Sequence, residues 1–173
     1  LSGAQIKAGT SWEDLVAALD EADLLFLDQD HGSIYKALKV SVGALPPQER
    51  EAYLELGLIA PDTAVSEAAL EKLWRREGQL KDYQVRQWIT RFAQRALLFV
   101  SGESPQRWVT LHDVQQKYLQ EGLPNRAKLH RDCIRSYGGG KFPWRGSEVA
   151  GEQYLYEQAA YHFREAGAEA AYE

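Results

Sequence analysis

Leu111-His112-Asp113-Val114-Gln115 is the run whose residue types and spacing best suit chemistry. It follows two β-like stretches, and an amphipathic helix starts inside it. A strand feeding a helix leaves unpaired backbone N–H groups at the helix start. These groups and the helix dipole together favour an anion such as phosphate. A histidine at that junction can add a donor to a phosphate oxygen. Asp113 is expected to be the N-cap, with Gln116 three residues on completing a capping box that holds the helix start. The residues leave a second reading of His112 open, a histidine bonded to a backbone carbonyl with no ligand.

Other candidates are weaker. The helix expected over roughly 82–96 carries Arg86, Arg91 and Arg95, with Lys72, Arg75, Arg76 and Lys81 nearby. As the third helix of a winged-helix pattern it could enter a DNA groove, or it could be a solvated face meeting other domains. Its basic residues are interleaved with acids, which does not favour phosphate-backbone binding. Asp28-Gln29-Asp30-His31-Gly32 fails as a calcium loop, because its glycine comes one place early and Lys39 stands where a bidentate Glu is needed. His31, His130 and His162 have no second ligand at i, i+4, so no metal site is expected. Cys133 reads as packing on an amphipathic helix. Gly138-Gly139-Gly140-Lys141 lacks the Ser or Thr and the leading strand of a phosphate loop. No nucleophile elbow or paired-carboxylate constellation is present, so the chain is not read as an enzyme.

The elements that position these residues follow from periodicity. Thr10-Ser11-Trp12-Glu13 caps a helix over roughly 11–20. Ile34, Leu38, Val42 and Leu45 recur at helical spacing until Pro46-Pro47 ends the run. Pro47 opens another helix to about residue 56, and 58–62 is a linker. Ser66 caps a helix bearing Leu70, Leu73 and Trp74. Val85, Trp88, Ile89, Phe92 and Ala96 share a face of the next. Strands are expected over 97–100 and 108–111, joined by a turn over 101–105. Helices follow over about 113–121, about 126–137 and 153–166, with Gly167 interrupting before a partner helix from Ala168. The fold class is therefore mainly α: a helical subdomain, a winged helix with a small β-hairpin wing, and the start of a helical array.

The chain has 173 residues and is 45% hydrophobic, enough for one sizeable core or two small ones. Its net charge of −5 does not favour wholesale nucleic-acid binding. One cysteine excludes an internal disulfide and fits a reducing, cytoplasmic setting. No apolar run approaches the roughly 20 residues of a membrane span. Methionine is absent, and Leu1-Ser2-Gly3-Ala4 opens in mid-pattern, so the chain is expected to be a fragment of a longer protein.

Read in order, these residues resemble the segment beyond the nucleotide-binding core of an NB-ARC (STAND) signalling ATPase, in the apoptotic protease-activating-factor-like group with its bacterial WD-repeat relatives. The resemblance rests on Leu1-Ser2-Gly3-Ala4, Trp12-Glu13-Asp14-Leu15, Val40-Ser41-Val42, Leu45, Tyr53 to Leu58, Leu73-Trp74, Leu97-Leu98-Phe99 and Leu111 to Gln115 with Tyr118-Leu119. Leu129 to Tyr137, Tyr154-Leu155-Tyr156 and Tyr161-His162-Phe163 with Ala166-Gly167 continue it. Each motif is modest, and their shared order is specific. The resemblance implies that residues 1–45 end a first helical subdomain, 46–122 form the winged helix and 123–173 begin a helical linker. It implies that His112 matches the family histidine that reaches the β-phosphate of bound ADP and holds the inactive state, with Asp113 and Gln116 supporting it. Exchange to ATP would free the winged helix for homo-oligomer assembly. The implied partners are an upstream P-loop domain and downstream WD repeats of the same parent, with no membrane. ADP or ATP would be held by the intact parent, and none is expected on this fragment alone. One position departs from the family: Ala96 stands where a Ser before Leu-Leu-Phe often assists nucleotide binding.

Overall fold

The computed structural model describes residues 32–74, 80–136 and 152–167. The helix expected over 11–20, the Asp28–His31 loop, the glycine-rich loop and the segment after Gly167 lie outside them. Seven helices are described: α1 (Gly32–Gly43), α2 (Pro47–Glu55), α3 (Glu67–Trp74), α4 (Asp82–Gln94), α5 (Asp113–Gly122), α6 (Arg126–Ser136) and α7 (Glu152–Ala166). Three short strands accompany them: β1 (Val65–Ser66), β2 (Phe99–Ser101) and β3 (Trp108–Thr110). The chain is thus mainly α with a small β wing, as the periodicity requires.

Local chemistry accounts for most boundaries. Pro46 and Pro47 stop α1 and open α2, because proline lacks the N–H that a helix interior needs and is tolerated in its first turn. Leu56–Leu58 then tightens into a 3₁₀ turn. Ser66 Oγ accepts from Ala69 N–H at 3.2 Å and caps α3. Gln84 Oε1 accepts from Lys81 N–H at 2.9 Å at the start of α4. The end of α4 is a Schellman turn: Leu97 N–H reaches Phe92 C=O at 2.9 Å, and Ala96 N–H reaches Ala93 C=O at 3.0 Å. The left-handed residue such a turn demands is Ala96, at φ 55°.

The wing holds one strand more than expected. β3 pairs antiparallel with both β1 and β2, with Val65 opposite Val109 and Val100 opposite Val109. A two-residue strand has no periodicity to detect, and β1 exists because β3 offers it a ladder edge. Val65 and Val109 point inward and are buried, while Phe99 and Trp108 stand on the outer face. β2 begins at Phe99, since Leu97 and Leu98 are drawn into the core directly after the turn.

One apolar core runs through these elements. Leu38, Tyr53, Leu56, Leu70, Ile89, Phe92, Leu97 and Leu119 are at its centre, and Leu123, Cys133, Tyr154 and Leu155 belong to the same cluster. Its edge-to-face aromatics are Tyr53 with Phe92 and Trp74 with Trp88 and Phe92. Two of them have bonded polar tips: Trp74 Nε1–H donates to Ala52 C=O and Tyr53 O–H to Leu97 C=O, both at 2.9 Å. Burial pushes the Tyr53 phenol far above its ordinary range. No described helix is long and apolar enough to cross a membrane.

Candidate functional site

The α5 N-terminus differs from expectation in one respect. His112 C=O already accepts the helical bond from Gln116 N–H at 2.9 Å, which makes His112 the N-cap and Asp113 the first helical residue. The His112 ring does the capping: its Nδ1 accepts from Val114 N–H at 3.3 Å. The reciprocal partner is Gln115, whose Oε1 accepts from His112 N–H at 3.0 Å. The capping box is therefore His112–Gln115, one residue before Asp113–Gln116, because the helix begins one residue earlier. Asp113 is exposed and favours the positive end of the helix dipole. Gln116 is buried and turned away from His112, with its Nε2 donating to Ile59 C=O at 2.8 Å.

This geometry sets the tautomer of His112. With Nδ1 accepting a backbone proton, the neutral ring carries its hydrogen on Nε2. His112 is exposed, and its Nε2–H is directed away from the cap it forms. The ring is thus held by its own helix while a donor stays available for an outside acceptor, at the positive end of the α5 dipole. Gln115 Nε2 donates to Ala96 C=O at 3.0 Å and ties the α5 start to the turn after α4. Ala96 thus lies next to the His112 cap.

The basic face of α4 is spent largely on internal ties. Arg91 pairs with Glu49 at 3.0 Å and Arg86 with Glu71 at 3.6 Å, while Arg95 reaches Ala44 C=O at 3.4 Å. Arg107 joins this face from the wing. It pairs with the fully buried Glu67, donates to Thr90 Oγ1 at 2.9 Å and to Arg86 C=O at 3.1 Å. An open groove of about 510 Å³ is bounded by Arg86, Gln87, Thr90, Arg91, Ser104 and Arg107. Three carboxylates stand behind its three guanidiniums, so it does not carry the uncompensated charge that phosphate-backbone binding needs.

A second polar cluster was not foreseen, because its parts are far apart in sequence. His130 on α6 and His162 on α7 are both 0% exposed, with Nδ1 atoms 2.9 Å apart. His162 Nε2 meets Tyr154 OH at 3.1 Å, and that hydroxyl accepts from Ala60 N–H at 3.1 Å. Burial lowers the pKa of His130 to about 4, with Arg126 adding to the effect and Glu165 opposing it. Burial and the neighbouring His130 lower that of His162 to about 3. The i, i+4 rule looks for partners on one helix, whereas this pair forms between two. Both residues do sit on apolar helix faces, which was the available signal. Among the described residues no three His, Cys, Asp or Glu gather as a metal would require.

No family model matches the chain. Over 142 residues, 80% of its length, it is 28% identical to apoptotic protease-activating factor 1 of Danio rerio and 27% identical to that of Rattus norvegicus. The matched segment is 11% of the length of each relative. These similarities support a relationship to apoptotic protease-activating factor 1.

Proposed function

We propose that this chain is a regulatory segment of a nucleotide-switched signalling ATPase of the NB-ARC type. In this reading α2 to α5 with the wing form a winged helix, and α6 and α7 begin the helical linker beyond it. The observation that carries the proposal is the state of His112: its ring is fixed by capping α5 through Nδ1, and Nε2–H stays free to donate. That donor and the positive end of α5 suit the terminal phosphate of a nucleoside diphosphate. The similarity to apoptotic protease-activating factor 1 along most of the chain supports placing the histidine in such a context.

The nucleotide would be held mainly by an upstream P-loop domain of the parent. His112 would bridge that ligand to this segment and stabilise the closed arrangement while ADP is bound. Loss of that bridge would shift the population toward an assembling, open arrangement. Asp113 adds to the helix start, and Gln115 takes the supporting role first expected of Gln116. Ala96 supplies no hydroxyl, so its contribution is the backbone carbonyl that orients Gln115.

The decisive variant is His112→Asp in the full-length parent. Aspartate is a strong N-cap, so α5 is kept, while a donor to phosphate becomes an anion that repels it. ADP retained after gel filtration should fall at least about tenfold, equivalent to the ~1.5–3 kcal/mol of a hydrogen bond to a charged group. Basal oligomer formation should rise. An Asp variant that retains ADP as wild type does would refute the sensor role.

A further inference from the structure

The Ile59–Ala60 peptide unit is gripped from both sides by different helices. Its carbonyl accepts from Gln116 Nε2 of α5 at 2.8 Å. Its N–H donates to Tyr154 OH of α7 at 3.1 Å. Ile59 and Ala60 are both buried, as are Gln116 and Tyr154. The two contacts are ends of one rigid plane, because the peptide bond does not twist appreciably. The grip then extends in one direction. The same Tyr154 hydroxyl lies 3.1 Å from His162 Nε2. His162 Nδ1 in turn shares a hydrogen bond with His130 Nδ1 on α6.

We infer that this peptide unit is the joint through which the position of α5 is relayed to the α6–α7 pair. The tight seat of α5 makes the joint stiff. A Cβ placed on Gly57 would lie 2.9 Å from the carbonyl carbon and oxygen of Leu119, so the 3₁₀ turn lies directly on the α5 backbone. If α5 shifts relative to α7, the Ile59 carbonyl or the Ala60 N–H must lose its partner. Neither can turn to water, and a buried polar group without a partner is costly. The plane cannot tilt to follow one helix without leaving the other. Helix α5, the Leu56–Ala60 segment and the α6–α7 pair therefore move as one body or part together. The use of this joint in signalling rests on the reading of His112, since His112 caps the same α5; the joint itself does not need a nucleotide.

The test uses this 173-residue chain without nucleotide. Gln116→Met and Tyr154→Phe each remove one grip with little change in volume, and the double variant closes a thermodynamic cycle in urea. Coupled grips make the double variant's loss in the folding constant at least about threefold smaller than the product of the two single losses. Additivity within that factor overturns the joint. Should the Met variant fail to fold, Tyr154→Phe alone decides through hydrogen exchange. The Gln116 side-chain amide then exchanges at least about threefold faster than in wild type, or, if unchanged, refutes the relay. In parallel, His112→Ala should speed exchange of α7 amides by the same factor as α5 amides, and an effect confined to α5 counts against the relay. Because nothing here measures ADP, a coupled cycle alongside unchanged ADP retention in the parent would remove the sensor and leave the joint.

Discussion

Acidification should dismantle the α6–α7 pair well before it protonates the native histidines. His130 and His162 are neutral in the folded chain, where burial lowers them to about 4 and about 3. Unfolding returns each to its ordinary value near 6.5. Both native values are depressed, so the unfolded chain binds more protons between those limits and stability rises with pH. The contribution is complete above about 6.5 and drains away as pH falls toward the native values. Below about 4 the folded state starts to take up the first proton and the slope flattens. Each group costs ~1.4 kcal/mol per pH unit over this window. Two groups across the two units from 6.5 to 4.5 cost at most ~5 kcal/mol, comparable with the whole stability of many domains. The groups facing the pair are Tyr154, Tyr161, Cys133, Arg126 and Glu165. Arg126 and Glu165 are themselves paired at 3.0 Å and oppose one another at His130. Urea unfolding at half-unit steps from pH 7.5 to 4.5 gives the slope, and ring-proton spectra give each histidine's state. The expected slope approaches two protons per molecule near pH 5 and falls by about one in His162→Gln. A wild-type slope unchanged by that substitution, or ring signals of His130 and His162 titrating near 6.5, would refute the reasoning.

Four further outcomes follow from particular contacts. Ala96→Gly should raise stability by ~0.5–1 kcal/mol in urea, because the Schellman turn holds this position at φ 55°, where a Cβ is strained. Gly57→Ala should lower it by ~1–3 kcal/mol, read as a drop in Tm, since the new methyl meets the Leu119 backbone and not a yielding side chain. Glu67→Gln should cost ~3 kcal/mol or more by leaving the largely buried Arg107 without its counter-charge. At the α5 start, His112→Ala should cost ~0.5–2 kcal/mol and His112→Asp should cost nothing measurable, as calorimetry can check; equal losses would show that the ring acts otherwise than as a cap.

Local patterns in the chain determined most of its helices and the residues that face inward. Pro46-Pro47, the Ser66 cap and the spacing of Val85, Trp88, Ile89 and Phe92 act through neighbours within one or two turns, and such signals survive without a tertiary context. His112 was recognisable as the residue at a strand-to-helix junction for the same reason. Its bonding was not. Whether Asp113 or His112 caps α5 depends on where the first helical carbonyl falls, and that is set by Gln115 reaching back to Ala96 across the turn from α4. Gln116 could serve either a capping box or a buried carbonyl, and only the packing of the 3₁₀ turn on α5 chose Ile59. β1 needed β3 as its template. The arginines of α4 looked available until Glu71 and Glu49 were brought behind Arg86 and Arg91, and the Ala44 carbonyl within reach of Arg95. The buried histidines came together only when α6 folded onto α7, 32 residues apart in the chain. Periodicity and caps are short-range and additive along the chain. Partner choice among buried polar groups is made by desolvation, which acts only once the core has closed.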